Sequence, residues 1–163
     1  MLDIAFICET NNSPVPAVVE WTESLCWVAA PGFRRPADSP IPLIHWPGRL
    51  TDRYAIKFFE ATGTRFVVTF SSLDANARGA AAEAGLGYLL INSRSVTPAL
   101  EIVREPFLPV APMIRSGIYL RPELDRRRYL PLIRALEAKL EPPNLAAKQA
   151  TPRLANLPRR HRG

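Results

Sequence analysis

Residues 42–91 alternate between two kinds of apolar pattern, and this alternation constrains the fold more than any other feature of the chain. Three short apolar runs have the length and composition typical of strands: Pro42–Trp46, Arg65–Phe70 and Tyr88–Ile91. The segments between them repeat their apolar residues at helical spacing. Short connections and right-handed crossovers predict a parallel α/β sheet in the order strand–helix–strand–helix–strand.

Capping residues indicate where the two helices of this unit begin and end. Thr51 offers a hydroxyl N-cap to the first helix, and Gly63 stands where a left-handed residue is expected after its last turn. Ser72 is the corresponding N-cap of the second helix, which Gly85 ends. Both helices are therefore expected to be short.

The flanking segments add further strands and a final helix. Strands are predicted at Leu2–Cys8, Leu25–Ala30, Leu100–Arg104 and Met113–Leu120. The proline-bearing segment Val15–Glu20 is expected to be an extended connector. The last helix carries apolar residues on its turns up to Leu140. We expect Pro131 in its first turn, because an interior proline costs about 3 kcal/mol.

The net charge of the chain suggests a nucleic-acid binder until its distribution is considered. The 163 residues carry +6, but five basic and no acidic residues lie in 142–163, so residues 1–141 carry only +1. We expect residues 142–163, rich in Pro, Ala and Arg, to form a disordered basic tail. Nucleic-acid binding through this tail would be weak, independent of sequence and salt-dependent.

Other features indicate a cytoplasmic protein without catalytic machinery. No apolar run approaches the roughly 20 residues of a membrane span, and no secretion signal is visible. Cys8 and Cys26 lie in apolar runs, which is typical of buried free thiols. His45 is the only histidine of residues 1–141, and no metal-ligand cluster or nucleophile–base pair accompanies it. We expect no catalytic residue, no metal and no cofactor.

Five stretches of the chain carry a more specific signal. They are Leu2–Ala5 (LDIA), Glu23–Gly32 (ESLCWVAAPG), Pro42–Thr62 with Arg53 early in its helix, Ser71–Leu90 (SSLDANARGAAAEAGLGYLL) and the turn Phe107–Val110 (FLPV). In this order they resemble the effector-binding domain of LysR-type transcriptional regulators. The resemblance runs from Leu2 to Leu140.

The resemblance implies an α/β fold like that of type 2 periplasmic binding proteins, with a small-molecule effector between two lobes. Residues 1–141 would form this domain, with one complete lobe at about 21–112 and a remnant of the other lobe at 1–10 and 113–141. The helix-turn-helix of the family and the first elements of its first lobe have no counterpart in the chain. We therefore expect an N-terminally truncated sensing domain, whose contact with DNA requires a helix-turn-helix absent from this chain.

Two loops are candidate ligand sites, since open parallel sheets bind ligands beyond the carboxyl ends of their strands. The first loop supplies four candidates: Trp46, Gly48, Arg49 and Leu50. Arg49 can hold an anion bidentately, and Gly48 permits close approach of the backbone. The second loop supplies three more: Phe70, Ser71 and Ser72. The plainer alternatives are an exposed loop arginine, a packed indole and a serine that only caps its helix.

The hypothesis that follows is a domain that senses a small molecule, expected to be an anionic metabolite. One alternative is a non-functional or interfering fragment that associates with a full-length regulator, as a homo- or hetero-oligomer. A second is a small α/β enzyme of unknown reaction, and a third is a nucleic-acid binder acting through the basic tail. No membrane partner is expected.

Overall fold

The computed structural model describes residues 2–8 and 16–140, and the predicted tail at 142–163 lies outside these residues. The described chain forms seven strands and three α-helices. The strands are β1 (Ile4–Cys8), β2 (Val19–Ala29), β3 (Ile41–His45), β4 (Phe66–Ser71), β5 (Leu89–Asn92), β6 (Glu101–Val103) and β7 (Met113–Leu120). The helices are α1 (Leu50–Ala61), α2 (Ala75–Glu83) and α3 (Arg126–Leu140), and a short 3-10 turn, Ser93–Ser95, follows β5.

The segment from β3 to β5 is the parallel α/β unit that the sequence predicts. β3 and β4 pair in parallel, and a parallel bridge joins Leu43 of β3 to Tyr88, just ahead of β5. Leu43, Tyr88 and Phe59 of α1 are buried in one apolar cluster. β3 is mostly buried, which fits its continuous apolar run, whereas Val67 and Val68 of β4 are exposed although the sequence of β4 is equally apolar.

β2 is one continuous strand that joins two sheet regions. Its first half, Val19–Ser24, pairs antiparallel with β7, whose other edge pairs with β1. Its second half pairs antiparallel with β5 and β6. The prediction that this strand begins at Leu25 is wrong: it begins at Val19 and so includes the last two residues of the predicted connector Val15–Glu20, whose first residue lies outside the described residues. Buried Trp21 and Glu23 alternate with exposed neighbours, so the period-2 pattern continues through the expected break.

α3 packs on the antiparallel region formed by β1, β7 and the first half of β2. Its Ile133 and Ile118 of β7 belong to one buried apolar cluster. The helix begins earlier than expected, because the Asp125 carboxylate accepts a hydrogen bond from the backbone N–H of Arg127 at 2.9 Å. Pro131 therefore lies in the interior of α3 rather than in its first turn, where it removes one backbone hydrogen bond.

The N-caps of the other two helices also differ from the expected ones. α1 begins one residue before Thr51, with Arg49 at its N-cap position, while Gly63 has the predicted left-handed conformation (φ 64°). The Asp74 carboxylate, not the Ser72 hydroxyl, accepts from the first N–H groups of α2. The Ser72 hydroxyl instead accepts a hydrogen bond from the backbone N–H of Asp74 at 3.0 Å. This bond helps to position Asp74 at the start of the helix.

The two sheet regions therefore share a strand instead of being joined by loops alone. The change of partner along β2 falls between Ser24, which pairs with β7, and Leu25, which pairs with β5. The predicted lobe boundaries, at about residues 21 and 112, stay predictions.

Candidate functional site

A cavity of about 540 Å³ is lined by residues from both sheet regions. β1 and β7 contribute from one region, and Leu25 of β2, the β3–α1 loop, α2, β5 and the segment after β5 contribute from the other. Cavities of this size accommodate small-molecule ligands. The charged residues of the lining are three arginines and one acid: Arg49, Arg78, Arg94 and Glu83.

One indole and two guanidinium groups form what we call the cationic end of the cavity: Trp46, Arg49 and Arg78. The guanidinium carbon of Arg49 lies 4.0 Å from the centroid of the Trp46 ring, and that of Arg78 lies 3.7 Å from it. Cation–π contacts of this kind favour a positive charge over the ring face and hold the side chains in place. The β3–α1 loop and α2 are thereby tied together at the cavity.

Asp52, in the first turn of α1, holds the loop that carries Trp46. Its side chain is buried, with 3% of the residue exposed, and accepts a hydrogen bond from the backbone N–H of Trp46. Nε2 of His45 lies 3.7 Å from Oδ2 of Asp52. Burial raises the pKa of the Asp52 carboxyl, although the Trp46 N–H and the charges of His45 and Arg78 act in the opposite direction.

Arg78 is a buried cation on α2, with 3% of the residue exposed. Burial lowers the pKa of its guanidinium; the acid Asp52 opposes this effect and the positive charge of Arg49 adds to it. Within the described chain, neither Arg49 nor Arg78 forms an ion pair with a carboxylate. An anion beside both guanidinium groups would therefore be stabilised by two unpaired positive charges.

A second charged cluster, which we call the paired end, consists of Glu23, Asn92 and Arg94. The Glu23 carboxylate is 3% exposed and receives Nδ2 of Asn92 at 2.7 Å and Nη2 of Arg94 at 3.2 Å. Nε1 of Trp21 donates to the same carboxylate at 2.9 Å. Nη1 of Arg94 also donates to the backbone carbonyl of Leu140, at the end of α3. The charge of Arg94 is thus paired, and both of its terminal nitrogens have partners within the protein.

The remaining walls of the cavity are largely apolar. Phe6, Leu25, Leu90 and Ile114 lie among the lining residues. The thiol of Cys8 also lines the cavity, and burial raises its pKa, so this thiol stays protonated at neutral pH. Both cysteines of the chain are free.

The structure brings part of the first predicted loop to the cavity. Trp46 and Arg49 line it. Gly48, exposed and left-handed with φ of 81°, turns the chain between them and is not among the described lining residues. Leu50 begins α1, and its side chain lies outside the described part of the chain.

The second predicted loop lies elsewhere, since none of its residues is among the described lining of this cavity. Phe70 packs against the apolar cluster of β2 and α2. The Ser71 hydroxyl lies 3.3 Å from Nδ1 of His45, and the Ser72 hydroxyl accepts from a backbone N–H at the start of α2. The plainer interpretation of Ser72, that it caps the helix, is also wrong, because Asp74 is the N-cap.

The sequence analysis did not identify three charged groups at the site, namely the buried Arg78 and Glu23 and the exposed Arg94. Two of them had a usable signal. Arg78 is the single charge on the alanine-rich face of α2, and Glu23 falls on a buried position of the strand alternation. A charge at an apolar position is rarely kept unless it is paired or functional. Arg94 follows β5 in a turn, and nothing local distinguishes it from a surface arginine.

The chain was compared with protein families, with curated proteins and with solved structures. No protein-family model matches the sequence, and no curated protein matches it either. Solved structures do match. The regulatory domain of HypT from Salmonella typhimurium has a TM-score of 0.65 at 16% identity, covering 85% of this chain and 73% of that chain. HinK, a LysR family transcriptional regulator from Pseudomonas aeruginosa, has a TM-score of 0.58 at 17% identity, covering 85% and 52%.

The regulatory domain of CcmR from Synechocystis PCC6803 has a TM-score of 0.56 at 14% identity, covering 85% of this chain and 74% of that chain. This chain has the fold of a LysR-type regulatory domain. The mixed α/β architecture expected from the resemblance, like that of type 2 periplasmic binding proteins, is confirmed. The chain spans about half the length of HinK, a LysR family regulator.

Two further observations concern metal ligands and membrane-spanning helices. Among residues 2–8 and 16–140, no group of three His, Cys, Asp or Glu side chains could hold a metal ion. In the same part of the chain, no helix is long and apolar enough to cross a membrane. The matching proteins described above are transcriptional regulators or their regulatory domains.

Proposed function

We propose that this chain is the small-molecule-sensing module of a LysR-type regulator, without catalytic activity, and that its effector binds in the 540 Å³ cavity. The observation that carries the proposal is the cationic end, where Arg49 and Arg78 form no ion pair with a carboxylate of the described chain and both contact one indole ring. Such a site has the concave shape, the apolar walls and the few polar groups typical of ligand pockets.

The proposed ligand is a small anion. Both guanidinium groups supply charge-assisted hydrogen bonds to a carboxylate or similar group, and Trp46 offers a flat apolar contact. Two of the matching structures support this class of ligand: the HypT regulatory domain is bromide ion-bound, and the CcmR regulatory domain is in complex with 2-PG. The effector of this chain is proposed by chemical class only.

The proposed signal is a change in how the two sheet regions sit against each other. The cavity is lined from both regions, so a bound ligand contacts both at once. We assign about 21–112 to one lobe, and 1–10 together with 113–141 to the other, with β2 crossing between them. A ligand that binds one arrangement better than another shifts the population toward it.

The proposed macromolecular partners follow from the same role. DNA would be reached through the helix-turn-helix of such a regulator, in the cytoplasm. A second regulator chain is the other proposed partner, since β1 lies at the end of its sheet and edge strands can pair with another chain. Sedimentation of the purified chain as a monomer at all concentrations would contradict self-association.

A thermal-shift panel of small carboxylates, phosphates and neutral analogues tests the sensing function. An acid present at 100 times its Kd should add about 2.7 kcal/mol to the free energy of unfolding. Arg78→Gln should abolish the shift caused by that acid, whereas Arg134→Gln, on an exposed position of α3, is the matched control and should not. A folded sample that no acid of the panel stabilises would contradict the proposal.

A further inference from the structure

The two charged ends of the cavity differ in whether their charge is already matched. At the cationic end, Arg49 and Arg78 have no ion-paired carboxylate within the described chain. At the paired end, Arg94 lies 3.2 Å from the Glu23 carboxylate. Three arginines therefore line the cavity, but only two of them offer an unmatched positive charge to a ligand.

Glu23 is held in a fixed position from several directions. Trp21, Asn92 and Arg94 all donate to its carboxylate, at 2.9 Å, 2.7 Å and 3.2 Å respectively. The residue is 3% exposed, so water does not screen its charge well. An acidic ligand group that approached Arg94 would have to compete with a carboxylate that is buried and already in contact.

A second carboxylate strengthens this asymmetry. Glu83 of α2 also lines the cavity, and its Oε1 accepts a hydrogen bond from the hydroxyl of Thr97 at 2.9 Å. Thr97 belongs to the segment that follows Arg94 along the chain. Besides Arg49 and Arg78, the charged residues that line the cavity are therefore Arg94, which the buried Glu23 carboxylate pairs from behind the wall, and the acid Glu83.

Resting on the proposed function, we propose that the cavity selects monoanions: ligands with one acidic group for Arg49 and Arg78, and an apolar body. Glu23 is the specificity-determining residue, because its carboxylate neutralises Arg94 and rejects a second acidic group. If only the negative charge of Glu23 were removed, Arg94 would be free to bind a second acidic group of the ligand. A neutral-for-acid substitution at residue 23 should thus convert the cavity into a site for dianions.

Three related probes test this selectivity by calorimetric titration of the 163-residue chain: benzoate, benzene-1,3-dicarboxylate and benzamide. Benzoate should bind the unmodified protein about tenfold or more tightly than the dicarboxylate, and likewise more tightly than benzamide, since a charged hydrogen bond is worth about one to two powers of ten in affinity. Equal affinities for benzoate and the dicarboxylate would overturn the proposal.

Glu23→Gln should raise the affinity for the dicarboxylate about tenfold, and that for benzoate only by about threefold, since the freed charge of Arg94 attracts benzoate from across the cavity. The double variant E23Q/R94Q is the matched control: it should bind benzoate like the unmodified protein and show no gain for the dicarboxylate. A folded E23Q protein without that gain, or a gain that persists in the double variant, would contradict the role of Glu23.

Arg94→Gln supplies an independent measurement in case E23Q does not fold. It leaves the Glu23 carboxylate without its positive neighbour, so benzoate should bind about threefold or more weakly through repulsion across the cavity. Unchanged benzoate affinity would overturn the proposal. If benzoate does not bind while another acid of the thermal-shift panel does, only the selectivity fails. If no acid binds, the sensing function fails as well.

Discussion

Asp52 shows how one buried acid can organise a ligand site without lining it. Its carboxylate accepts from the backbone N–H of Trp46 and neighbours both His45 and the charge of Arg78. Buried acids are costly to ionise unless hydrogen bonds and positive charges compensate. Here burial outweighs that compensation, since the pKa of the Asp52 carboxyl is raised.

Asp52→Asn should therefore change how stability depends on pH. A raised pKa means that the folded chain binds this proton more tightly than the unfolded chain, whose Asp has a pKa of about 3.9. As the pH rises from that value through the folded-state pKa, the contribution of Asp52 to the free energy of unfolding is lost. The difference in urea unfolding free energy, wild type minus D52N, should fall with pH across this range.

The amide oxygen introduced by D52N would still accept from the backbone N–H of Trp46, so the loop should keep its place. Asp38→Asn, on an exposed loop residue, controls for the loss of one negative charge. If the difference in unfolding free energy, wild type minus D52N, rose with pH instead, the prediction would be wrong and the ionised Asp52 carboxylate would be stabilising.

At the scale of elements, one glycine sets the distance between β3 and the chain entering β5. Gly87 has φ of 155°, and a Cβ added to it would lie against the backbone carbonyl of Pro42. The N–H of Tyr88 donates to that same carbonyl at 2.8 Å. The neighbouring atoms belong to the backbone of Pro42, which cannot move aside as the end of a flexible side chain can. A methyl group at residue 87 would therefore force β3 and the chain entering β5 apart.

Gly87→Ala should destabilise the protein by about 2 kcal/mol or more, the range expected for overpacking and a strained backbone. Gly79→Ala is the matched control: Gly79 is inside α2, and nothing lies within 4 Å of the position its Cβ would take, so alanine should stabilise by up to about 1 kcal/mol. Urea unfolding measures both. Equal effects of the two substitutions would contradict the close approach at Gly87.

Elements were easier to predict than their ends, for reasons visible in particular residues. The parallel unit follows from the alternation of periods between residues 42 and 91, and the fold resemblance from five ordered motifs. Helix starts depend on which of two adjacent acceptors bonds to the N–H groups, as with Ser72 and Asp74. The length of β2 was missed because a buried acid, Glu23, interrupts its apolar pattern.

The residues of the candidate site were also only partly predictable from the sequence. Its loop residues, Trp46 and Arg49, follow a predicted strand and could be proposed from local order. Arg78 and Arg94 come from two separate segments, and only the folding of the chain brings both to one cavity and places Glu23 of a third segment against Arg94. Periodicity describes neighbours along one element, so it cannot show which distant polar groups share a cavity.

On the scale of the whole molecule, β2 makes the two sheet regions depend on one another. Six of its residues pair with β7, and the residues after them pair with β5 and β6 without a break. Trp21 in the first half packs in the cluster of Ile118, and Trp27 in the second half packs in the cluster of Phe59. Unfolding of either region would therefore remove partners from the strand that supports the other.

We predict a single cooperative unfolding transition for the described part of the chain. Phe59→Ala and Ile118→Ala each empty a fully buried position, at 0% exposure, in different regions, and should cost about 3–5 and 2–5 kcal/mol respectively. Both should lower the same midpoint in calorimetry and circular dichroism, with equal calorimetric and van't Hoff enthalpies. Ile102→Ala, at a half-exposed position of β6, is the control and should shift the midpoint little. Two separate transitions, each sensitive to only one substitution, would mean that the regions fold independently and that a ligand in the cavity links them only when bound.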